Sequence, residues 1–189
     1  MAIKTFTTGE VLTASDTNTY LNNGGLVYVS GASVSNVTTI DVTGFTTTYK
    51  QFRVIYDLTR HSGTAGSLVT AQFRDSSSAY TTGYYGAGVA VSYLAAVTAY
   101  EARNNGAEFP IGSVYDNVGP LRGWFDVGGM NTTTVKPTLT GSFYNLALTS
   151  NVAAGYEYAG GRTLTIDRIR FTCAVGMTGT WQLYGYRTA

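Results

Sequence analysis

From residue 26 onward, apolar and polar residues alternate with a period of two, which is the pattern of β-strands with one buried face. The clearest segment is Gln51–Leu58, in which Ile55 is the apolar residue out of phase. The same pattern, bounded by turn-forming residues, predicts ten strands. They are Leu26–Val29, Val37–Val42, Gln51–Leu58, Gly66–Arg74, Val89–Ala99, Leu121–Val127, Thr138–Leu148, Tyr156–Tyr158, Leu164–Val175 and Gly179–Tyr186.

Segments rich in Gly, Asn and Ser separate these strands, and none of them carries the 3.6-residue periodicity of a long helix. Parallel strands need such helices as crossover connections. We therefore expect an all-β, antiparallel fold. So many strands within residues 25–189 favour two packed sheets over an open one, and a jelly-roll-like sandwich is the expected architecture.

One predicted strand, Leu164–Val175, changes the parity of its apolar residues at Asp167 and Arg168. A β-bulge there, which adds one residue to the strand, would return every apolar side chain to the same face. Those side chains are Leu164, Ile166, Ile169, Phe171, Cys173 and Val175.

Residues 14–22 have helical character: Thr13 can cap the first turn, and Asp16 places a carboxylate near the positive end of the helix dipole. A helix of about nine residues needs something to pack on. We expect residues 1–24 to form an arm that either docks on a partner or sister subunit or folds back on its own domain, and residues 25–189 to form the sandwich. The expected docking side chains are Phe6, Val11, Leu12, Tyr20 and Leu21.

The composition excludes several functions. Charged residues make up 12% of the chain, the net charge is +1, and no basic run is present, so nucleic acid is not an expected partner. The pattern of a signal peptide and an apolar stretch of about 20 residues are both absent, which predicts synthesis in the cytoplasm without membrane insertion. Cys173 and His61 are each the single residue of their type, which excludes internal disulfides, Cys-rich zinc modules and multi-histidine sites.

Catalytic machinery is not evident either, and no cofactor is expected. His61 lies in a turn-like stretch and is interpreted as a solvated loop residue rather than a general base. A nucleophilic triad lacks a second histidine and a Gly-x-Ser-x-Gly sequence. Four carboxylates are candidates for glycoside hydrolysis by a pair of acids, but no pattern singles them out: Asp75, Glu101, Asp116 and Asp126. We interpret Cys173 as a core residue.

A more informative stretch contains Tyr80, Tyr84 and Tyr85, preceded by serines and followed by Gly86 and Gly88. Tyrosine, serine and glycine together are typical of recognition loops. Two interpretations stay open. The tyrosines contact a partner protein or stack on a sugar, or they pack over one end of the sandwich as loop cover.

The segment Lys4–Asn23, which contains Phe6-Thr-Thr-Gly-Glu-Val-Leu-Thr-Ala, resembles the N-terminal segment of many tailed-bacteriophage virion proteins. Four further stretches are similar to strands of phage structural β-sandwich proteins, the last of them to a closing Leu-Tyr-Gly signature. They are Tyr49–Leu58, Ala71–Asp75, Asp167–Phe171 and Gly179–Tyr186. The matches are short, but their order and spacing agree with the family.

That family comprises tail fibres, tail-associated proteins and capsid decoration or head-fibre proteins, which are usually trimeric and non-enzymatic. The resemblance implies a virion structural protein, a homotrimer that binds the major capsid protein or tail proteins through its arm. The chain lacks a repetitive shaft, which favours a compact subunit over a long fibre. The alternative is a tail-fibre module that binds a host receptor or surface glycan through Tyr80, Tyr84 and Tyr85. An enzyme that depolymerises bacterial polysaccharide is the weakest hypothesis.

Overall fold

The computed structural model describes residues 8–11, 25–63, 65–92, 98–115, 120–145, 150–160 and 165–187. This part of the chain contains no helix, and so none with the length and hydrophobicity to cross a membrane. The strands are β1 (Leu26–Thr43), β2 (Gln51–Arg60), β3 (Ser67–Arg74), β4 (Tyr84–Ser92), β5 (Thr98–Gly106), β6 (Phe109–Val114), β7 (Leu121–Gly128), β8 (Thr138–Asn145), β9 (Ser150–Tyr158) and β10 (Arg168–Tyr186). All of their pairings are antiparallel, which confirms the predicted all-β antiparallel class.

The strands join in one sheet with the order β5-β4-β9-β8-β7-β2-β10-β3-β6, and β1 pairs with β10. β10 is long enough to pair with three strands. Residues 168–173 pair with β3, residues 177–185 pair with β2, and β1 accompanies both halves. The pairing of β1 with β10 extends one residue beyond the start of β1 and the end of β10, where the Arg187 N–H donates to the Gly25 carbonyl at 3.1 Å.

The ribbon formed by β1 and β10 is sharply bent. Their register shifts between Val34 and Val37, and Asn36 between them has a φ of 54°. Ser30 Oγ donates to the Thr43 carbonyl at 2.5 Å, although 13 residues separate them along β1. A straight strand would hold them roughly 40 Å apart. The two halves of β1 therefore approach each other, and the sheet nearly closes on itself with β6 packed against β8.

This continuity differs from the expected arrangement of two separate sheets, and the pairing does not establish a jelly-roll-like sandwich. β1 replaces the two predicted strands Leu26–Val29 and Val37–Val42, and β10 runs without a break from Arg168 to Tyr186. The residues between Val175 and Gly179, which suggested a turn between two strands, lie at a bend within β10. A Cβ on Gly179 would lie 2.0 Å from the Asp57 backbone oxygen, so glycine is required for close strand approach there.

The core fills the space inside the folded sheet. On β2 the alternation is as predicted: Ile55 is exposed, and the buried positions are Phe52, Val54, Tyr56 and Leu58. Ile166 and Ile169 are both fully buried, so the parity change is real. It arises without a bulge inside a strand, because β10 begins only at Arg168 and residues 165–167 are not part of a strand.

The arm is described only at residues 8–11, where the Val11 side chain is exposed. The predicted helix at residues 14–22 lies outside the described residues. So do four of the expected docking residues, namely Phe6, Leu12, Tyr20 and Leu21. The division into an arm of residues 1–24 and a domain of residues 25–189 stays a prediction.

Candidate functional site

Tyr84 belongs to the core. Its side chain is fully buried, and its hydroxyl accepts a hydrogen bond of 2.7 Å from the Phe73 N–H. The ring stacks on Phe73 and packs against Phe109 and Tyr158. Burial raises the pKa of Tyr84 well above its usual value. Tyr84 therefore has no surface to offer a partner in this structure, and its role is packing.

Tyr80 secures a turn. Its hydroxyl donates to Asp75 Oδ2 at 2.8 Å, and its ring lies 5.0 Å from that of Tyr158. Asp75 also accepts from Ser77 N, Ser77 Oγ and Ser78 N. Burial by itself raises the pKa of Asp75, but these hydrogen bonds outweigh burial and hold it below 3.8. This geometry favours the interpretation of Tyr80 as loop cover.

Tyr85 is the one of the three tyrosines on the outward face of the sheet. It lies on β4 opposite Glu157 of β9 and is half-buried. Because β-strand side chains alternate, the outward position of Tyr85 follows from the inward position of Tyr84. Tyr85 thus remains available for contact with a partner.

The other sequence candidates do not come together. His61 Nδ1 lies 3.0 Å from Thr178 Oγ1 at the bend of β10. Asp126 is bound to Arg53, and Asp75 is occupied in the turn of Tyr80. Glu101 lies in β5, and Asp116 lies outside the described residues. Across the described ranges, no group of three His, Cys, Asp or Glu side chains is placed to hold a metal ion. Cys173 is buried, as predicted.

The outward face carries a surface that the sequence analysis did not single out. The Arg53 guanidinium donates two hydrogen bonds to the Asp126 carboxylate, from Nε to Oδ1 at 2.7 Å and from Nη2 to Oδ2 at 2.8 Å. The same guanidinium lies 4.2 Å from the centroid of the Trp124 ring and 5.6 Å from that of Tyr186. The Tyr186 hydroxyl donates to Asp126 Oδ1 at 2.8 Å. We call these four residues the Trp124 cluster.

The strand register creates this cluster. Arg53 of β2 is directly opposite Asp126 of β7, and Trp124 is opposite Ile55. The side chains of both pairs point to the outward face of the sheet, so the two pairs are neighbours on that face. The hydrogen bond to Asp126 raises the pKa of Arg53, and burial, followed by the bond to Asp126, raises that of Tyr186. The guanidinium therefore stays charged, and the phenol stays a donor, at neutral pH.

Two shallow depressions flank Trp124. The first holds about 350 Å³, and the residues that line it outside the core include Ile55, Asp57, Arg122, Trp124, Ser142 and Tyr144. The second holds about 500 Å³ and has small residues along its floor, among them Ala87, Thr140, Ala153 and Gly155. The Arg122 Nε donates to Asp57 Oδ2 at 2.8 Å in the first depression. An exposed aromatic ring between two depressions that also present polar side chains is an arrangement that can bind a ligand.

No protein-family model matches the chain, and no curated protein is significantly similar to it. Among solved structures, the chain is similar to the marine PL-14 alginate lyase from Aplysia kurodai. The TM-score is 0.32 at 11% sequence identity, with 82% of each chain covered. At that TM-score the likeness supports no conclusion about fold or activity.

Proposed function

We propose that this protein is a non-enzymatic structural subunit of a bacteriophage virion, which assembles as a homotrimer and docks on the capsid or tail through residues 1–24. The finer fold we propose is a jelly-roll-like sandwich formed by the bent sheet. One observation carries the proposal: the four stretches that resemble strands of phage structural proteins are hydrogen-bonded neighbours in and beside β10, so they form a single structural unit.

The first pair of stretches joins β2 to the end of β10. Leu183 pairs with Val54, Tyr184 with Arg53, and Gly185 with Phe52. A Cβ on Gly185 would lie 2.3 Å from Cγ of Tyr49, the residue that opens the other stretch. The glycine of the Leu-Tyr-Gly signature is therefore explained by the tyrosine that covers it.

The second pair joins β3 to the start of β10. Arg168 pairs with Arg74 and Ile169 with Phe73, and the Asp167 N–H donates to the Arg74 carbonyl at 3.0 Å. Both pairs of stretches maintain contacts within the body. The residues that resemble phage proteins are thus residues that pack the strands together. A resemblance of this kind supports a shared architecture, as expected for a structural subunit.

The use of the aspartates fits a structural role. Among the described residues, every aspartate is occupied by a structural contact. Asp41 binds Arg170, Asp57 binds Arg122, Asp126 binds Arg53, Asp167 binds Arg168, and Asp75 holds the turn of Tyr80. Asp75 and Asp126, two of the four carboxylates considered for glycoside hydrolysis, are therefore held in structural contacts.

The experiment compares the full chain with a variant that lacks residues 2–23. We expect the full chain to elute as a trimer in size-exclusion chromatography with light scattering, and the shortened chain to elute as a monomer with an unchanged near-UV circular dichroism spectrum. Gold-labelled antibodies should place the full protein on phage particles. A shortened chain that still forms trimers and enters particles, or a protein absent from particles, would refute the proposal.

A further inference from the structure

Trp124 is exposed and yet held in place. Its side chain keeps 39% of its surface in solvent. One side of the ring is covered by the Arg53 guanidinium, which the bidentate bond to Asp126 fixes in turn. A cation over an aromatic ring is attracted by the negative face of the ring. A surface indole fixed by this chain of contacts is preorganised, and a ligand that stacks on it loses little further side-chain entropy.

Hydrogen-bonding groups lie beside the ring. The Asp57 and Arg122 side chains form an ion pair but stay 47% and 65% exposed, so both keep polar atoms that face the first depression. Ser142, directly opposite Trp124 on β8, adds a hydroxyl that lines both depressions. A carboxylate and a guanidinium side by side accept from and donate to neighbouring hydroxyl groups of one ligand.

The charges around Trp124 balance. Arg53 is paired with Asp126, and Arg122 is paired with Asp57. The second depression has no charged residue in its lining. The surface therefore complements a ligand that is rich in hydroxyl groups and carries no net charge. An acidic polysaccharide or a nucleic acid would meet no unpaired cation here.

The two depressions continue each other across Trp124. The smaller, at about 350 Å³, falls within the range of roughly 300–1,000 Å³ that ligand pockets occupy. The larger is floored by Ala153 and Gly155 of β9 and by Ala87 of β4, whose short side chains leave room for an extended chain. A ligand of several linked units would cross the face with one unit stacked on the indole.

We propose that this face binds a neutral oligosaccharide, with one sugar ring stacked on Trp124 and its hydroxyl groups bound by Asp57, Arg122 and Ser142. This deepens the glycan-binding alternative and moves it from the loop of Tyr80, Tyr84 and Tyr85 to the outward face of β7 and β8. It does not depend on the docking arm, so it and the proposed virion role fail separately.

The chain contains two tryptophans, which makes a direct test possible. Trp181 is 6% exposed in the core, so the full-length Trp181→Phe variant leaves Trp124 as the sole indole reporter. The probes are maltohexaose, cellohexaose and chitohexaose, with hexameric polymannuronate as the acidic comparison. We expect at least one neutral probe to change the Trp124 emission saturably below 10 mM, and the acidic probe to cause no change.

Calorimetry on otherwise wild-type protein then locates the site. We expect Trp124→Ala to weaken binding of the neutral probe at least tenfold. Tyr28→Ala should leave it unchanged, because Tyr28 is an exposed aromatic residue packed on Tyr184 away from the depressions. Ala153→Leu, at an exposed position in the second depression, should weaken the hexasaccharide more than the corresponding disaccharide.

Four results would overturn the proposal. The first is that none of the three neutral probes binds at 10 mM, and the second is that the Trp124→Ala variant binds as tightly as wild type. The third is that polymannuronate binds more tightly than any neutral probe. The fourth is that Trp124→Ala changes the oligomeric state of the protein. The last result would make this face a contact between copies of the chain. Each leaves incorporation into particles as a separate measurement.

Discussion

The ring of Tyr49 lies directly over Gly185, so closely that a Cβ at position 185 would meet its Cγ at 2.3 Å and its Cδ2 at 2.4 Å. Gly155 offers the opposite case on the same sheet, since a Cβ there would find its nearest neighbour, Thr140 Cγ2, at an ordinary 3.6 Å. Glycine is therefore required at position 185 by close packing, whereas at position 155 the space also admits an alanine side chain.

We expect Gly185→Ala to lower the free energy of unfolding by about 1–3 kcal/mol because the tyrosine ring must move. Gly155→Ala should change it by about 0.5 kcal/mol or less. Urea denaturation at pH 7 measures both. Tyr49→Ala should remove most of the effect of Gly185→Ala in the double variant. Equal losses for the two glycines would contradict this account of the contact.

Tyr84→Phe tests the core role of Tyr84. Removing its hydroxyl leaves the Phe73 N–H without the hydrogen bond that it now donates, and a buried backbone donor without a partner costs about 1–3 kcal/mol. Tyr85→Phe, on the outward face, should cost about 0.5 kcal/mol or less. Thermal and urea unfolding compare the pair. A larger loss for Tyr85→Phe would show that the two rings have been assigned to the wrong faces.

Asp41 predicts a dependence of stability on pH. The hydrogen bond from Arg170 holds its pKa below 3.8 in the folded protein, aided by the charges of Arg170, Arg168 and Arg74 and opposed by burial. The unfolded chain then takes up this proton at a higher pH than the folded one. The resulting stabilisation is complete above about pH 5 and is lost as the pH falls through the folded pKa.

The measurement is the free energy of unfolding at pH 5 and pH 3 at constant ionic strength. We expect Asp41→Asn to be less stable than wild type at pH 5 and to lose less on acidification. Asp75, whose pKa is also lowered, keeps contributing in both proteins, so some acid sensitivity should persist. A variant with the same pH profile as wild type would disprove the role given to Asp41.

The ion pair inside the Trp124 cluster gives a fourth prediction. Arg53 and Asp126 are each about 30% exposed and joined by two hydrogen bonds, which places their interaction toward the upper end for surface pairs. A double-mutant cycle with Arg53→Met and Asp126→Asn should yield a coupling of about 0.5–1 kcal/mol that decreases in high salt. A coupling that does not respond to salt would argue against an electrostatic origin.

Alternation predicted best the strands that have one solvent-exposed face. The predicted strand Val89–Ala99 was wrong in its bounds, because β4 ends at Ser92 and β5 begins at Thr98. The alternation of β2 was predicted correctly because Arg53 and Asp57 interrupt the apolar series, although the strand continues to Arg60 and not only to Leu58. β6 was missed for the opposite reason: all of its residues except Ser113 are buried, so it shows no alternation, and Pro110 argues against a strand. The proline is tolerated because β6 is the last strand in the sheet order.

Long-range register limited the rest. The bend that unites β1 depends on Asn36 in a left-handed conformation, which the sequence presents simply as a turn signal. The sequence contains one weak signal of the Trp124 cluster. Trp124 and its cross-strand neighbour Ile55 are both apolar residues out of phase with the other apolar residues of their strands. Only the pairing of β2 with β7 reveals that these two exceptions lie opposite each other. Alternation along one strand shows which side chains share a face of the sheet, but only the register between strands shows which of them are neighbours.

The bond between Arg187 and Gly25 has a mechanical consequence. β1 enters the sheet beside the point where β10 leaves it, so a load applied across these two residues pulls along the direction of the inter-strand hydrogen bonds. Such a load ruptures the ladder pair by pair, at far lower force than sliding the strands past each other would need. Tension carried through Gly25 would thus peel β1 away first and expose the edge of β10.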